Sequence, residues 1–266
     1  MATVLESNKT KIAKRVIEVF EYFGPTKRSA TVMDIVRRYD RPQSSTSELL
    51  ASLVEMGLLY KDPVSRSYSP TPRLATLGST AQPDLLRDGR IYAFMDRLAQ
   101  STRCGVGLFG MVGTHAQIFR WSPGADQMSD GVESGASESL SGSAVGLLLL
   151  STFGPEKARK LLWRLNAEAA PEQRFDYAST TQRVVDYARA GAATGEAGFV
   201  AGASVTAVML PHGLNERPLA LGVIHPGTAS IDTEALVATM RHELAQNGTS
   251  EPFMLPHVGM PLMRAI

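Results

Sequence analysis

The order of local signals near the N-terminus constrains this chain more than any other feature of its sequence. Apolar residues recur at three- and four-residue intervals from Lys9 to Phe23, which predicts an amphipathic helix that ends at Gly24-Pro25. A second helix is predicted to start at Thr31, because Thr31 and Asp34 have the spacing of a capping box, and to end at Tyr39. The connection that follows is only a few residues long, so two short helices should pack closely together.

The third predicted helix begins at Pro42 and ends at Gly57, a residue suited to the left-handed conformation that follows many helices. Its apolar residues fall on one face, whereas the opposite face and the first turn carry short polar side chains. Two short strands, 58–61 and 67–69, are predicted on either side of a turn-rich tip at 62–66. This order is typical of a winged helix-turn-helix: two helices joined by a tight turn, the second of them with a polar face, followed by a hairpin.

A helix with small polar side chains can enter the major groove of DNA, which is about 12 Å wide. We expect the start of the third helix to contact base edges, through Gln43, Ser44, Ser45 and Ser47. Arg41 beside this helix is expected to contact phosphates, whereas Lys61 and Arg66 in the hairpin are expected to contact phosphates or a neighbouring minor groove. A small protein-binding module with a solvated basic face is the alternative interpretation, but it does not account for the hairpin and the polar helix start.

The composition favours a folded protein of two domains. Of the 266 residues, 44% are apolar and 20% are charged, which excludes a disordered chain. Residues 1–80 carry twelve Lys and Arg against eight Asp and Glu, whereas residues 81–266 carry fifteen against eighteen, so the N-terminal part is the basic one. One cysteine cannot form an internal disulfide, and no signal peptide or membrane-spanning run is visible. We therefore expect a cytoplasmic protein with no membrane contact.

The remainder of the chain predicts a mixture of strands and helices. Residues 81–102 are expected to form a linker helix, mainly from Asp84 to Gln100, between a DNA-binding domain at 1–80 and a second domain at 103–266. In that second domain the predicted helices are 144–153, 155–165, 180–190 and 233–245. The predicted strands are 104–111, 116–121, 204–210 and 219–224. This order favours an α+β fold with a mostly antiparallel sheet.

The stretch Arg41 to Gly78, RPQSSTSELLASLVEMGLLYKDPVSRSYSPTPRLATLG, resembles the IclR family of bacterial transcription regulators. The similarity includes the recognition helix, the G-L-L that follows it, a D-P at the wing tip, a Tyr in the returning strand and the P-R-L…L-G exit. Glu48 departs from the pattern, because members of the family often carry a basic residue there. The resemblance implies that the second domain is a GAF-like α/β effector-binding domain for a small-molecule effector.

The resemblance is weaker in the second domain. Ser141 stands where relatives carry a histidine, Leu147 where they carry a lysine, and Val205 where they carry a cysteine. The resemblance implies a pocket between the sheet and its helices. We expect the lining to comprise Phe109, Trp121, Ser141, Ser143, Ala144, Ser204 and Thr206. The free N–H groups at the start of the helix at 144–153 favour an anion or a polar oxygen there, unless the serines only cap that helix.

Two hypotheses of function follow. The first is a transcription regulator, repressor or activator, whose affinity for double-stranded operator DNA is controlled by an aromatic or small organic acid, or its neutral derivative. The alternative is a regulator whose second domain has lost ligand binding and serves only for oligomerisation, as the eroded pocket motif suggests. Either form needs two recognition helices for a palindromic site, so we expect a homodimer or a tetramer.

Met95 and Leu98 of the linker helix are candidates for the contacts between subunits. No enzyme, cofactor or metal site is expected, because the five histidines are scattered and Ser143 is not in a nucleophile motif.

Overall fold

The computed structural model describes residues 8–24, 26–82, 84–125, 131–211, 217–227 and 231–247. The chain divides into two compact units, Met1–Gln82 and Pro83–Ile266.

The first unit is a winged helix-turn-helix, as the sequence predicts. Its helices are α1 (Asn8–Tyr22), α2 (Val32–Tyr39), α3 (Gln43–Glu55) and α4 (Pro72–Ala81), and the hairpin strands are β1 (Leu59–Lys61) and β2 (Tyr68–Pro70). Helix α4 was not predicted as an element: Pro72 occupies its first turn, and none of its side chains is buried. The unit is held by a small core made of Val19, Ala30, Ile35, Leu50, Leu53, Leu59 and Tyr68.

The start of α2 is fixed by the predicted capping box. The Thr31 hydroxyl accepts a hydrogen bond from the backbone N–H of Asp34 at 3.3 Å, and the Asp34 carboxylate accepts one from the backbone N–H of Thr31 at 2.8 Å. The residue before Thr31, Ala30, exchanges two backbone hydrogen bonds with Tyr68 of β2. The entry to α2 is therefore tied directly to the hairpin.

The ends of α3 differ slightly from the prediction. Pro42 is the cap rather than the first helical residue, because its ψ of 136° is extended. The helix ends at Glu55, and Gly57 follows in the left-handed conformation with a φ of +69°. The Thr71 hydroxyl donates a hydrogen bond of 2.5 Å to the carbonyl of Gly57, so the loop after α3 is braced by the segment that enters α4.

The second unit is an antiparallel sheet between two layers of helices, which confirms the predicted α+β class. Its helices are α5 (Asp84–Arg87), α6 (Arg90–Thr102), α7 (Ala144–Leu150), α8 (Pro155–Glu168), α9 (Tyr177–Ala190) and α10 (Thr233–Asn247). Its strands are β3 (Gly105–Val112), β4 (His115–Ser122), β5 (Ser137–Ser139), β6 (Ala192–Glu196), β7 (Ala203–Met209) and β8 (Leu219–Pro226), arranged in the order β5-β4-β3-β8-β7-β6.

Each face of this sheet has its own apolar core. One face, which we call the α7 face, carries Phe109, Val205 and Ile224 and packs against α7, with α8 and α9 around it. The other, the α6 face, carries Val106, Val208 and Val223 and packs against α6 and α10. Because side chains alternate along a strand, neighbouring residues of one strand belong to different cores.

The predicted helix at 84–100 is interrupted. Gly89, with a φ of +74°, separates α5 from α6, since a left-handed residue cannot continue a right-handed helix. Met95 and Leu98 were expected to contact a second subunit, but they are buried on the α6 face of their own sheet. Their apolar surface is used within the unit and is not free for dimerisation.

Candidate DNA interface and effector site

The outer surface at the start of α3 is polar and open. Gln43, Ser44 and Ser47 are exposed, and among the described residues their side chains make no hydrogen bond. Glu48 is exposed one turn further along the same helix. The side chains expected to contact base edges are thus available to do so, with an acidic group beside them.

Two of the predicted DNA contacts have partners inside the unit. Arg41 forms a bidentate ion pair with Glu18 of α1, with Nη2–Oε1 and Nε–Oε2 distances of 2.6 and 3.2 Å. The Ser45 hydroxyl donates to the carbonyl of Pro42 at 3.2 Å and accepts from Arg15 at 3.3 Å. These contacts connect the start of α3 to α1, so Arg41 and Ser45 position the helix that carries the exposed polar residues.

The hairpin tip is held by a carboxylate. Oδ1 of Asp62 accepts hydrogen bonds from the backbone N–H groups of Val64 and Ser65 at 2.7 and 2.9 Å. The bonds from Ser65 and then Val64 lower the pKa of the Asp62 carboxyl, so the tip keeps its charged acceptor. Arg66 follows in the left-handed region, with a φ of +56°, and its side chain is exposed. The turn therefore presents Arg66 to solvent from a constrained backbone.

Lys61 is exposed on β1, where its ammonium nitrogen lies 5.4 Å from the centroid of the Tyr68 ring. Arg37 and Arg38 are also exposed, in the last turn of α2. The first unit thus displays cationic groups on α2 and on both parts of the hairpin, in addition to the polar surface of α3.

Three predicted effector residues belong to the core of the α7 face. Phe109 and Ala144 are fully buried there, and the half-buried Trp121 packs against the same cluster. The Phe109 ring lies across two positions without side chains, since a β-carbon at Gly107 or Gly222 would be 2.5 or 3.0 Å from it. Phe109 therefore fills the middle of the α7 face with its own ring.

The two predicted serines lie at the entry to α7. Ser143 is its N-cap, buried, with its hydroxyl accepting from the backbone N–H of Gly146 at 3.0 Å. Ser141 is half-buried, and its hydroxyl lies 3.1 Å from that of Ser139. The capping role that the sequence left open for these serines is the one that Ser143 fills.

Ser204 and Thr206 do not share this space. They alternate with Val205 and Ala207 of the α7 face, and therefore project from the α6 face together with Val208. Thr206 is buried there, 3.1 Å from Nε2 of the buried His225. The expectation that both strand residues line the same pocket as Ser143 is wrong, because the two-residue period of β7 directs them to the opposite side of the sheet.

Two contributors to the α7 face were missed. Phe199, in the loop between β6 and β7, tilts against Phe109 with the ring centroids 5.5 Å apart. A β-carbon at Gly198 would be only 2.6 Å from the carbonyl of Gly142, so this loop lies directly on the segment that enters α7. The second is Arg183 of α9. A β-carbon at Gly195 would be 3.3 Å both from Nη2 of Arg183 and from the β-carbon of Ala144. Neither could be identified from spacing alone, because the loop and helix meet the sheet only in the fold.

The architecture is that of a DNA-binding winged helix-turn-helix followed by an antiparallel sheet between helices. Residues 13–63 match the family model of the IclR helix-turn-helix domain. Comparison with curated protein sequences gave no match. The identification of the N-terminal unit therefore comes from the family model, and solved structures provide an independent comparison of the fold.

The chain resembles the structure of an IclR transcriptional regulator from Alicyclobacillus acidocaldarius, with a TM-score of 0.59 and 22% identity over 91% of this chain and 98% of the other. For an IclR homologue from Microbacterium hydrocarbonoxydans complexed with 4-hydroxybenzoate, the TM-score is 0.58 and the identity is 21%, over 89% of this chain and 97% of the other. For the IclR of Thermotoga maritima, the TM-score is 0.56 and the identity is 15%, over 89% of this chain and 95% of the other. The chain thus carries an IclR helix-turn-helix domain and has the fold of IclR-family regulators, which confirms the resemblance seen in the sequence.

The matched domain and the similar structures belong to transcriptional regulators rather than enzymes, in agreement with the sequence analysis. Within the described ranges, no three His, Cys, Asp or Glu side chains are grouped so that they could hold a metal ion. In the same part of the chain, no helix combines the length and the apolar character needed to cross a membrane.

Proposed function

We propose that the protein is a transcription regulator that binds a palindromic operator as a homodimer and responds to a small organic effector held in its second unit. The observation that supports this most is the start of α3. Its polar side chains are exposed, and the ion pair of Arg41 with Glu18 connects this end of the helix to α1. Gln43, Ser44 and Ser47 then contact base edges, and Arg66 and Lys61 contact the DNA backbone.

The α7 face supports an aromatic effector. Its centre contains the rings of Phe109 and Phe199, with Trp121 at its border, and the surrounding side chains are apolar. A flat apolar ligand body suits such surroundings better than a strongly hydrated one. The homologue from Microbacterium hydrocarbonoxydans, complexed with 4-hydroxybenzoate, provides a precedent for this class of ligand on a similar fold.

A second candidate is a regulator whose second unit serves only for assembly. It is favoured by one observation, the position of Phe109 across Gly107 and Gly222, where its ring occupies space that a ligand could take. An effector would then have to displace Phe199 or Phe109, and the energy for that change must come from its own binding.

The two candidates are tested with the full chain. Selection from a random DNA library should yield a palindromic sequence with half-sites about one helical turn or a multiple of it apart. Thermal unfolding with aromatic acids and amides, followed by operator titration with any stabilising compound, then separates them. A compound that stabilises the protein and shifts operator affinity supports the sensor. Operator binding without a response to any compound supports the assembly role, and no selected sequence contradicts both.

A further inference from the structure

A guanidinium group lies at the edge of the α7 face, at a point where the sheet has no side chain. Gly195 of β6 lies between α7 and α9, and a β-carbon there would be 3.3 Å from Nη2 of Arg183 and 3.3 Å from the β-carbon of Ala144. The same point is 3.5 Å from the hydroxyl of Tyr187. Gly195 therefore marks the border between the buried Ala144 and the cationic end of Arg183.

Tyr187 orients this arginine. Its hydroxyl donates a 3.0 Å hydrogen bond to the carbonyl of Thr194, which fixes the ring against β6. Arg183 precedes it by one helical turn, with Nη2 3.5 Å from the Tyr187 hydroxyl and the guanidinium 5.9 Å from the ring centroid. The guanidinium is thus held toward the sheet, on a residue that as a whole is exposed.

Arg183 has no acidic partner among the described residues. The acid closest to it along α9 is Asp186, which instead pairs with Arg189 at 3.7 Å and accepts a hydrogen bond from Gln182 at 3.0 Å. A guanidinium that is oriented but not neutralised is suited to a planar anion, because its parallel N–H groups match the two oxygens of a carboxylate.

We propose that Arg183 binds the carboxylate of the effector, with Tyr187 as its positioning residue and the apolar part of the ligand directed past Ala144 toward the α7 face. This inference rests on the proposed sensing function and specifies it: the ligand is a monocarboxylic acid. A neutral derivative would leave the guanidinium without its anion and lose the strongest contact.

The test compares acids with their amides on the full chain. Benzoate and propionate are used with benzamide and propionamide, which differ from the acids only in the charged group. At least one acid should raise the melting temperature of the native protein and of Arg164→Gln, a control on the exposed face of α8 whose arginine pairs with Glu168, whereas its amide should not. In Arg183→Gln the Kd of that acid should rise about tenfold or more, as expected for the loss of a charge-assisted hydrogen bond.

Two further variants separate charge from geometry. Arg183→Lys keeps the positive charge but loses the two parallel N–H groups of the guanidinium. It should bind the acid more weakly than the native protein and more tightly than Arg183→Gln. Gly195→Ala keeps the arginine but places a β-carbon 3.3 Å from its Nη2, which should displace the guanidinium and also weaken binding. An equal shift in Arg183→Gln, equal shifts by acid and amide, or no shift by either acid would overturn the proposal.

Operator binding distinguishes this failure from failure of the proposed function. The control Arg164→Gln should bind the selected operator as the native protein does. A native protein that binds its operator but ignores both acids is still a regulator, without this carboxylate site. A protein that selects no operator loses the proposed function, whatever the acids do.

Discussion

The guanidinium of Arg41 is bound through two of its nitrogens by both carboxylate oxygens of Glu18. The Glu18 side chain is only 12% exposed and that of Arg41 33% exposed, so the pair is partly shielded from water. It joins the C-terminal part of α1 to Arg41, two positions before the first residue of α3. An arginine expected from the sequence to contact phosphate thus holds the recognition helix in place.

Removing Glu18 should therefore destabilise α3 without changing its exposed polar side chains. Glu18→Ala removes the carboxylate that binds two nitrogens of Arg41 and should lower the local stability by about 1.5–3 kcal/mol, the range for a hydrogen bond to a charged group. Native-state hydrogen exchange of the α3 amides measures this. Glu21→Ala, an exposed acid on the same helix, is the matched control, and an equal loss in both variants would contradict the assigned role.

Substitutions in the hairpin and in α3 should differ in how their effect on DNA binding depends on the DNA sequence. Arg66→Ala should weaken binding to operator and random DNA alike and reduce the salt slope by about one unit, as one phosphate contact is lost. Ser44→Ala should lose about 1–3 kcal/mol on the operator and little on random DNA. Titrations at two salt concentrations compare the two. Equal losses for Ser44→Ala on both DNAs would remove α3 from sequence recognition.

The capping box of α2 should make stability depend on pH. The backbone and side-chain hydrogen bonds from Thr31 lower the pKa of the Asp34 carboxyl below its ordinary value of 3.8. Because folding lowers this pKa, the contribution of Asp34 is complete above 3.8 and is lost as the pH falls through the folded value. Urea denaturation should show Asp34→Ala less stable than the native protein at pH 7, with the gap narrowing toward pH 3.

Thr31→Ser is the control for that experiment, because it keeps the hydroxyl that accepts from the Asp34 N–H. A gap between native protein and Asp34→Ala that stays constant down to pH 3 would mean that the ionised carboxylate contributes nothing.

Phe199 should stabilise the α7 face at the expense of ligand access. Phe199→Ala removes the half-buried ring that tilts against Phe109, and should cost about 1–2 kcal/mol, less than the 3–5 kcal/mol of a fully buried ring. The space created should let benzene or an aromatic acid stabilise the variant more than the native protein in thermal unfolding. An identical response of both proteins would show that Phe199 does not occupy ligand space.

Two glycines in helices should respond in opposite directions to alanine. A β-carbon at Gly146 of α7 would collide with the backbone of Leu140, so Gly146→Ala should cost about 1–3 kcal/mol through overpacking. At Gly78 of α4 nothing lies within 4 Å of that position, so Gly78→Ala should be neutral or stabilise by up to about 1 kcal/mol. Urea denaturation of the two variants decides, and a similar loss in both would refute the collision.

The first unit was largely predictable because its signals are local. The capping box at Thr31 and the left-handed Gly57 both depend on residues a few positions apart, and both occur where expected. Strand β6 was missed because Ala192–Glu196 has little β-propensity of its own and forms by pairing with β7. The break at Gly89 was missed because a single glycine is tolerated in many helices.

The proposed effector site was less predictable, because its lining depends on which face of the sheet a helix covers. Alternation shows that Ser204 and Val205 point to opposite sides, but the sequence does not say which side meets α7. The ion pair of Arg41 with Glu18 joins residues 23 positions apart and has no local signature. Arg183 approaches Ala144 only because α7, α9 and β6 converge at Gly195.

The left-handed backbone at Arg66 connects the stability of the hairpin with its contribution to DNA binding, two properties that selection can act on separately. A residue with a β-carbon is disfavoured in this conformation by roughly 1–2 kcal/mol, whereas glycine adopts it freely. A replacement by glycine would thus give a more heat-resistant protein that holds its operator less firmly. Under selection for thermostability alone this position should drift to glycine, while a population that depends on tight gene control should keep the strained arginine.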